Sequence, residues 1–342
     1  MKALMKTKAG FGNIEIRDMP EPVPGPGEVL IEVKAAGICG TDIHIYHDTF
    51  KSNPPVILGH EYSGVVKGVG AGVTEFAAGD RVTSETAAKV CGVCRYCRTG
   101  SYNLCPERKG LGYGVDGVFA KYCVVNKSIV HRLPDSVDFR QGAMCEPLSC
   151  AVHGVIEQMG VSAGDVVVVL GPGAIGLLAA QVAMAEGGTV YVLGLDADAA
   201  KFPIAEKLGC RTINISKYDA AQTIREATGG YGADVVLECS GAGPAARLGF
   251  QLARKQAKYC QMGLFGKSIE IDLEQIAYKE LKVSGFISQK YSAWKTALRL
   301  LEEKKVNLEP LISQELPLTD WMEGFESKEK GSVLKTLLYP ID

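Results

Sequence analysis

Residues 165–176 read DVVVVLGPGAIG, and no other stretch of the chain restricts its fold so tightly. A strand with one solvated face alternates apolar and polar residues, whereas an unbroken apolar run fits a strand buried on both faces of a parallel sheet. The glycines then turn the chain into AIGLLAAQVAMAEG, which has helical composition. Parallel strands need long crossovers rather than hairpins, and the following residues supply them. TVYVLGLD, RTINI, ADVVLECSG, KYCQMGLF and KVSGF read as further strands, with helical stretches to Leu208, from Ala221 to Thr228 and before KYCQMGLF. Residues 149–285 are therefore expected to form an open, doubly wound parallel α/β sheet. Pro203 sits awkwardly in the helix after Asp196, so that helix should start late or bend.

Glycines that follow a strand and open a helix form a cradle for a dinucleotide. Gly171 permits the tight turn, Gly173 lets the backbone approach a diphosphate, and Gly176 allows close helix–strand packing. The contacts expected in this cradle are Gly171, Gly173, Ile175 and Gly176. The helix amino terminus offers free N–H donors and a positive partial charge. Asp196, 20 residues past Gly176 at the end of the next strand, is placed to bind a ribose 2′-hydroxyl. A carboxylate there repels a 2′-phosphate and no arginine follows in DADAAK, which favours NAD over NADP.

Residues 1–148 have another texture. IEIRD, EVLIEVKAAG, EYSGVVKGVG and DRVTSE alternate as short strands, and the turn-rich PEPVPGPGE cannot continue a helix or a central strand. The last residues hold a helical stretch from Trp294 and a terminal strand, SVLKTLLY. They are expected to return to the first domain. The division is thus 1–148 plus 286–342 around an inserted 149–285. Forty glycines, where a chain of 342 residues usually holds about 24, agree with many tight turns.

Eleven cysteines in a chain without a recognisable export signal point to metal rather than to a disulfide framework. Cys91, Cys94, Cys97 and Cys105 are separated by two, two and seven residues, so one short loop can wrap four thiolates around an ion. Four sulfurs and no open position favour structural Zn²⁺; an iron–sulfur cluster is possible by ligand type, but the spacing differs from ferredoxin runs. Cys39 in GICGTDIH, His60 and Glu61 in GHE, and Glu146 in EPL form a second set. One sulfur, one imidazole and one or two carboxylates suit a zinc with room for an oxygen substrate. Taken singly, they read equally as a small buried cysteine, a core histidine and solvated glutamates. Cys123, Cys145, Cys150, Cys210, Cys239 and Cys260 have apolar neighbours and are expected to be buried thiols.

With 37 basic and 39 acidic side chains the net charge is −2, which argues against an electrostatic nucleic-acid binder. No apolar run reaches the ~18 residues a membrane span needs. A cytoplasmic location is expected.

Taken together, GICGTDIH, GHEYSG, CGVCRYC…C, EPLSCAVH and GPGAIG resemble, in that order, the zinc-containing medium-chain alcohol/polyol dehydrogenases. The resemblance covers essentially the whole chain. It implies a GroES-like, β-rich catalytic domain with an inserted Rossmann domain, two zinc ions per chain and NAD. By the same resemblance Cys39, His60 and Glu61 match catalytic zinc ligands, and Glu146 a fourth, often water-mediated, carboxylate. Many simple alcohol dehydrogenases carry a cysteine at the Glu146 position, which places this chain on the polyol side. Thr41 matches the hydroxyl of a proton relay and His44 its solvent end. Lys201 stands where relatives hold a basic residue near the adenosine ribose, and Ser240 and Leu264 where they line the nicotinamide pocket. VTSET, YNLCPERKGLG, EPLSC and ARKQ resemble sorbitol, iditol and arabitol-phosphate dehydrogenases. Threonine dehydrogenases share HIY but usually carry a histidine before the cysteine loop, where this chain reads SETAAKVCG. FISQKYSAW (286–294) also lacks the arginine of mammalian-type sorbitol dehydrogenases. The implied substrate is a polyol or polyol phosphate oxidised to a ketose, with L-threonine or 2,3-butanediol as alternatives inside the family. A non-catalytic NAD(H)-binding regulator is the alternative outside it. The family also implies a homo-oligomer, with a tetramer favoured.

Overall fold

The computed structural model describes residues 1–341. Its chain divides into two compact units: Met1–Ser149 with Ser288–Glu302 and Ile312–Asp342, and Cys150–Ile287 with Glu303–Leu311. Residues 303–311, which the sequence reading assigns to the first domain, group with the second. The Asn307 N–H there donates at 2.7 Å to the Oε1 of Gln181, which is buried in the helix after the cradle.

In the second unit six parallel strands lie in the order Arg211–Asn214, Thr189–Gly194, Val166–Leu170, Ala233–Glu238, Ala253–Gln261, Lys282–Gly285. Numbered along this unit the order is 3-2-1-4-5-6, the doubly wound arrangement of a dinucleotide-binding sheet. Val166–Leu170 is central, and Val167 to Leu170 are at most 1% exposed, which is why this strand carries no polar residue. The helix Ala174–Ala185 is apolar on nearly every face because it too is buried. After Asp196–Lys201, a 3₁₀ turn, an α-helix begins at Phe202 with Pro203 in its first turn, where a missing N–H costs nothing.

The first unit is built on a seven-stranded sheet. Its central strand Glu28–Gly37 buries alternate side chains, Val29, Ile31 and Val33, against Tyr62, Val66, Val82, Phe119 and their neighbours. Glu61–Val69 pairs antiparallel on one side and Lys335–Tyr339 antiparallel on the other. A three-stranded sheet of Ile14–Asp18, Lys2–Lys6 and Val56–Ile57 completes the unit. Among the described residues no helix is long and apolar enough to cross a membrane.

Candidate functional site

Two neighbouring strands of the first unit deliver the candidate metal donors to one end of the sheet. Cys39 follows the end of Glu28–Gly37, His60 and Glu61 open Glu61–Val69, and the register sets Gly37 opposite Glu61. Gly37 is required there: a Cβ on it would come within 2.3 Å of Glu61 Oε2. Cys39, His60 and Glu61 each bring a donor atom within 4.8 Å of the other two.

The surroundings fit a divalent ion. His60 Nδ1 and Asp42 Oδ1 are both buried without a hydrogen-bond partner and lie 4.0 Å apart. The other Asp42 oxygen accepts from the Cys39 N–H at 2.8 Å, capping the helix Gly40–Tyr46. An imidazole that ligates a metal through one nitrogen commonly donates from the other to a carboxylate, and Asp42 stands in that place. Burial works to lower the His60 pKa, yet the Cys39 sulfur, Asp42 and Glu146 together hold it well above 6.5. Burial raises the Asp42 carboxyl, with His60 opposing. A site this rich in anionic donors calls for a cation.

One cation is already built in. Lys335, 3% exposed, donates to Glu61 Oε2 and at 3.1 Å to the Ile38 carbonyl. Burial works to lower its pKa, but Glu61, Cys39 and Glu146 raise it above the ordinary value. Glu146 lies outside the tight donor group. It is buried, acts electrostatically on His60 and Lys335, and accepts from Gln289 Nε2 at 2.9 Å. Burial lifts its pKa, with His60 opposing. Thr41 Oγ1 is 3.7 Å from Cys39 Sγ. His44, three residues further on the same helix, is exposed and its Nδ1 meets Thr49 Oγ1 at 3.1 Å.

The four-cysteine loop closes on itself. The four sulfurs lie within 4.8 Å of one another. Backbone N–H groups of Cys91, Cys94 and Cys97 donate to the sulfurs of Cys105, Cys91 and Cys94 at 3.3–3.5 Å. Donation from the Val93 and Cys94 backbone brings the Cys91 thiol down to about 7, while burial raises Cys97 to about 12. Val93, Tyr96 and Leu104 are exposed, so apolar packing contributes little to holding the loop. Of the remaining six cysteines, Cys123, Cys145, Cys210 and Cys260 are buried as expected, but Cys150 and Cys239 are only half-buried.

In the second unit Gly171 has φ +100°, and a Cβ there would meet Ser240 at 2.9 Å. At Gly176 a Cβ would strike the Gly171 carbonyl oxygen at 2.0 Å, whereas at Gly173 nothing lies within 4 Å. Two glycines are thus demanded by the fold, and the third leaves open space over the first turn of the helix that begins with Ala174 and Ile175. That is the cradle a diphosphate needs. Ser240 donates from N and Oγ to Glu238, which is fully buried and also accepts from Gln261. Leu264 is exposed, and Gly241 packs against its backbone. Asp196 Oδ1 accepts from Asn214 at 2.7 Å and pairs with Lys217 at 3.3 Å, which together lower its pKa. Lys201 pairs with Asp198 at 2.9 Å.

Sequence reasoning missed Asp42, Lys335 and Gln289. Each had a signal: an acid at the third helical position after Cys39, a lone lysine inside the apolar run VLKTLLY, and an amide in FISQKYSAW.

Two family models match the chain, the alcohol dehydrogenase GroES-like domain over residues 25–135 and the zinc-binding dehydrogenase domain over residues 174–303. A sorbitol dehydrogenase of Halalkalibacterium halodurans is 48% identical, with both chains covered in full. A D-arabitol-phosphate dehydrogenase of Enterococcus avium is 40% identical over 99% of this chain and 97% of the relative. Among solved structures, a zinc-binding dehydrogenase of Sinorhizobium meliloti bound to NADP superposes with a TM-score of 0.92 at 33% identity, covering 99% of both chains.

Proposed function

Because the chain belongs to the zinc-binding alcohol dehydrogenase family with a GroES-like domain, we propose that it is an NAD-dependent polyol dehydrogenase. It oxidises a secondary hydroxyl of a free or phosphorylated sugar alcohol to a ketose. The observation that carries this reading is the Cys39–His60–Glu61 donor group, three ligands of mixed type, which is the number a catalytic zinc takes from protein when one position stays open. When bound, zinc would supply Lewis acidity toward an alcohol whose own pKa is near that of water, and NAD⁺ would supply the hydride acceptor.

The chain's own groups do the rest. Thr41 Oγ1, beside Cys39, would take the hydroxyl proton while passing its own onward, and exposed His44 would be the solvent end of that relay. Glu146, fixed by Gln289, orients water or a neighbouring hydroxyl of the polyol. Lys335 holds Glu61 from the last strand by donating to its Oε2. The free helix N–H groups above Gly173 bind the diphosphate, and Asp196 binds the adenosine ribose. The four-cysteine loop holds a second, structural zinc.

The test is NADH formation by the purified enzyme with sorbitol, iditol, arabitol, their phosphates, L-threonine and 2,3-butanediol. Turnover with a polyol is expected, and Cys39→Ser or His60→Ala should abolish it while NADH binding stays within about twofold. Full activity in either variant refutes the metal mechanism. Asp196→Ala should weaken NAD at least about tenfold, a loss of 1.4 kcal/mol, and NADP far less, because it frees Lys217 to face a 2′-phosphate. Equal losses refute the ribose role.

A further inference from the structure

Resting on the polyol reading, we propose that Arg108 is the specificity-determining residue of the first unit. It receives an anionic far end of the substrate, the phosphate of a polyol phosphate.

Arg108 lies three residues past Cys105 and is only partly exposed. Its Nη2 donates to Thr86 Oγ1 and to Ser288 Oγ, each at 3.0 Å. Its Nη1 donates to the Tyr113 hydroxyl. Every one of these acceptors is a neutral hydroxyl. No carboxylate is among these partners, and Arg108 Nε is buried with no acceptor at all. A guanidinium partly withdrawn from water without a counter-charge is costly, and a purely structural arginine would be expected to meet a carboxylate. Here it is held in a fixed orientation by groups that leave its charge unspent. Guanidinium and phosphate form strong, charge-assisted pairs, and the second N–H of Nη1, which no protein group among the described residues takes, is left to make one.

The position of the fork ties it to the metal donors. Ser288, which holds Arg108, adopts the left-handed φ of +59°, uncommon for a residue with a side chain. Its Oγ donates to Gln289 Oε1, and Gln289 Nε2 donates to Glu146 Oε1 at 2.9 Å. On the other side the Tyr113 ring stands edge-on to the His60 ring, with centroids 6.4 Å apart. The guanidinium is thus two hydrogen-bonding side chains from Glu146 and one ring from His60. A substrate with one hydroxyl at the Cys39–His60–Glu61 donors extends its remaining carbons into these surroundings.

The experiment compares kcat/KM for D-arabitol and D-sorbitol with that for arabitol phosphate and sorbitol 6-phosphate in wild type, Arg108→Lys and Arg108→Met. Wild type should prefer the esters by about tenfold or more, and Arg108→Met should cut the ester-to-free ratio at least about tenfold, through KM. Arg108→Lys keeps the charge without the fork and should fall between. Inorganic phosphate should compete with the ester in wild type and more weakly in Arg108→Met. A ratio unchanged in both variants, or a wild-type preference for the free polyols, overturns the assignment of Arg108 and leaves the polyol reading standing. Wild type that oxidises neither class overturns the polyol reading itself, and the proposal with it.

Discussion

The ammonium of Lys335 donates to the carboxylate of Glu61, and the two side chains are 3% and 1% exposed. This buried pair joins the last strand of the chain to a candidate metal donor from the first domain's core, 274 residues away in sequence. Removing one partner of such a pair leaves a buried charge without compensation, which typically costs 3–5 kcal/mol, whereas removing both costs much less. Lys335→Met should therefore destabilise the protein by roughly that amount, and Lys335→Met with Glu61→Gln should recover a good part of the loss. Denaturant unfolding of the four species in the double-mutant cycle measures this. Strictly additive losses would show that the pair is not coupled.

Asp42 offers a sharper test of the metal centre. Asp42→Asn keeps an oxygen able to accept from the Cys39 N–H, so the helix cap survives. It also deprives His60 Nδ1 of its nearby carboxylate charge. Zinc affinity should fall about 10–100-fold, as it does when such supporting carboxylates are lost. Competition with a chromophoric chelator reads this directly; an unchanged affinity means that Asp42 serves only the helix.

The cradle glycines separate packing from binding. Gly176→Ala places a methyl 2.0 Å from a backbone carbonyl that cannot move freely, and should destabilise by about 1–3 kcal/mol. Gly173→Ala meets nothing within 4 Å, so its melting temperature should match wild type. Its methyl nonetheless enters the space over the helix terminus, and NADH affinity should drop about tenfold. Thermal melts and NADH fluorescence titrations on both variants check the contrast; a Gly173→Ala enzyme with normal affinity would place the diphosphate elsewhere.

The cysteine loop carries exposed Val93, Tyr96 and Leu104, so under the structural-zinc proposal its order should depend on that ion. Cys94→Ser should reduce bound zinc from two ions to one per chain and open residues 91–105 to proteolysis. Emission spectrometry and a timed protease digest report both effects. Two zinc ions in the variant would move the structural site to other ligands.

Much of this was legible beforehand, for reasons that differ from feature to feature. The run DVVVVLG betrayed its place at the sheet centre because burial on both faces excludes polar residues. The four cysteines were readable because local spacing alone lets one loop surround an ion. Glycines 171 and 176 announced a turn and a close approach, and the structure supplies the atoms they avoid. Cys39, His60, Glu61 and Glu146 were harder. Spacing along the chain says nothing about strand register, and resemblance rather than arithmetic singled them out.

Sequence by itself thus determined the elements, the parallel sheet and the spacing of the cysteine loop and the cradle glycines, since periodicity, turn chemistry and ligand spacing are properties of short stretches. Tertiary structure alone decided which charges meet. Lys335 reaches Glu61 because their strands flank Glu28–Gly37, Asp42 reaches His60 because a helix cap turns it inward, and Arg108 stands among hydroxyls from three separate segments. Coulombic and hydrogen-bonding partners are chosen by distance in space, and the chain fixes that distance only once its strands have found their neighbours.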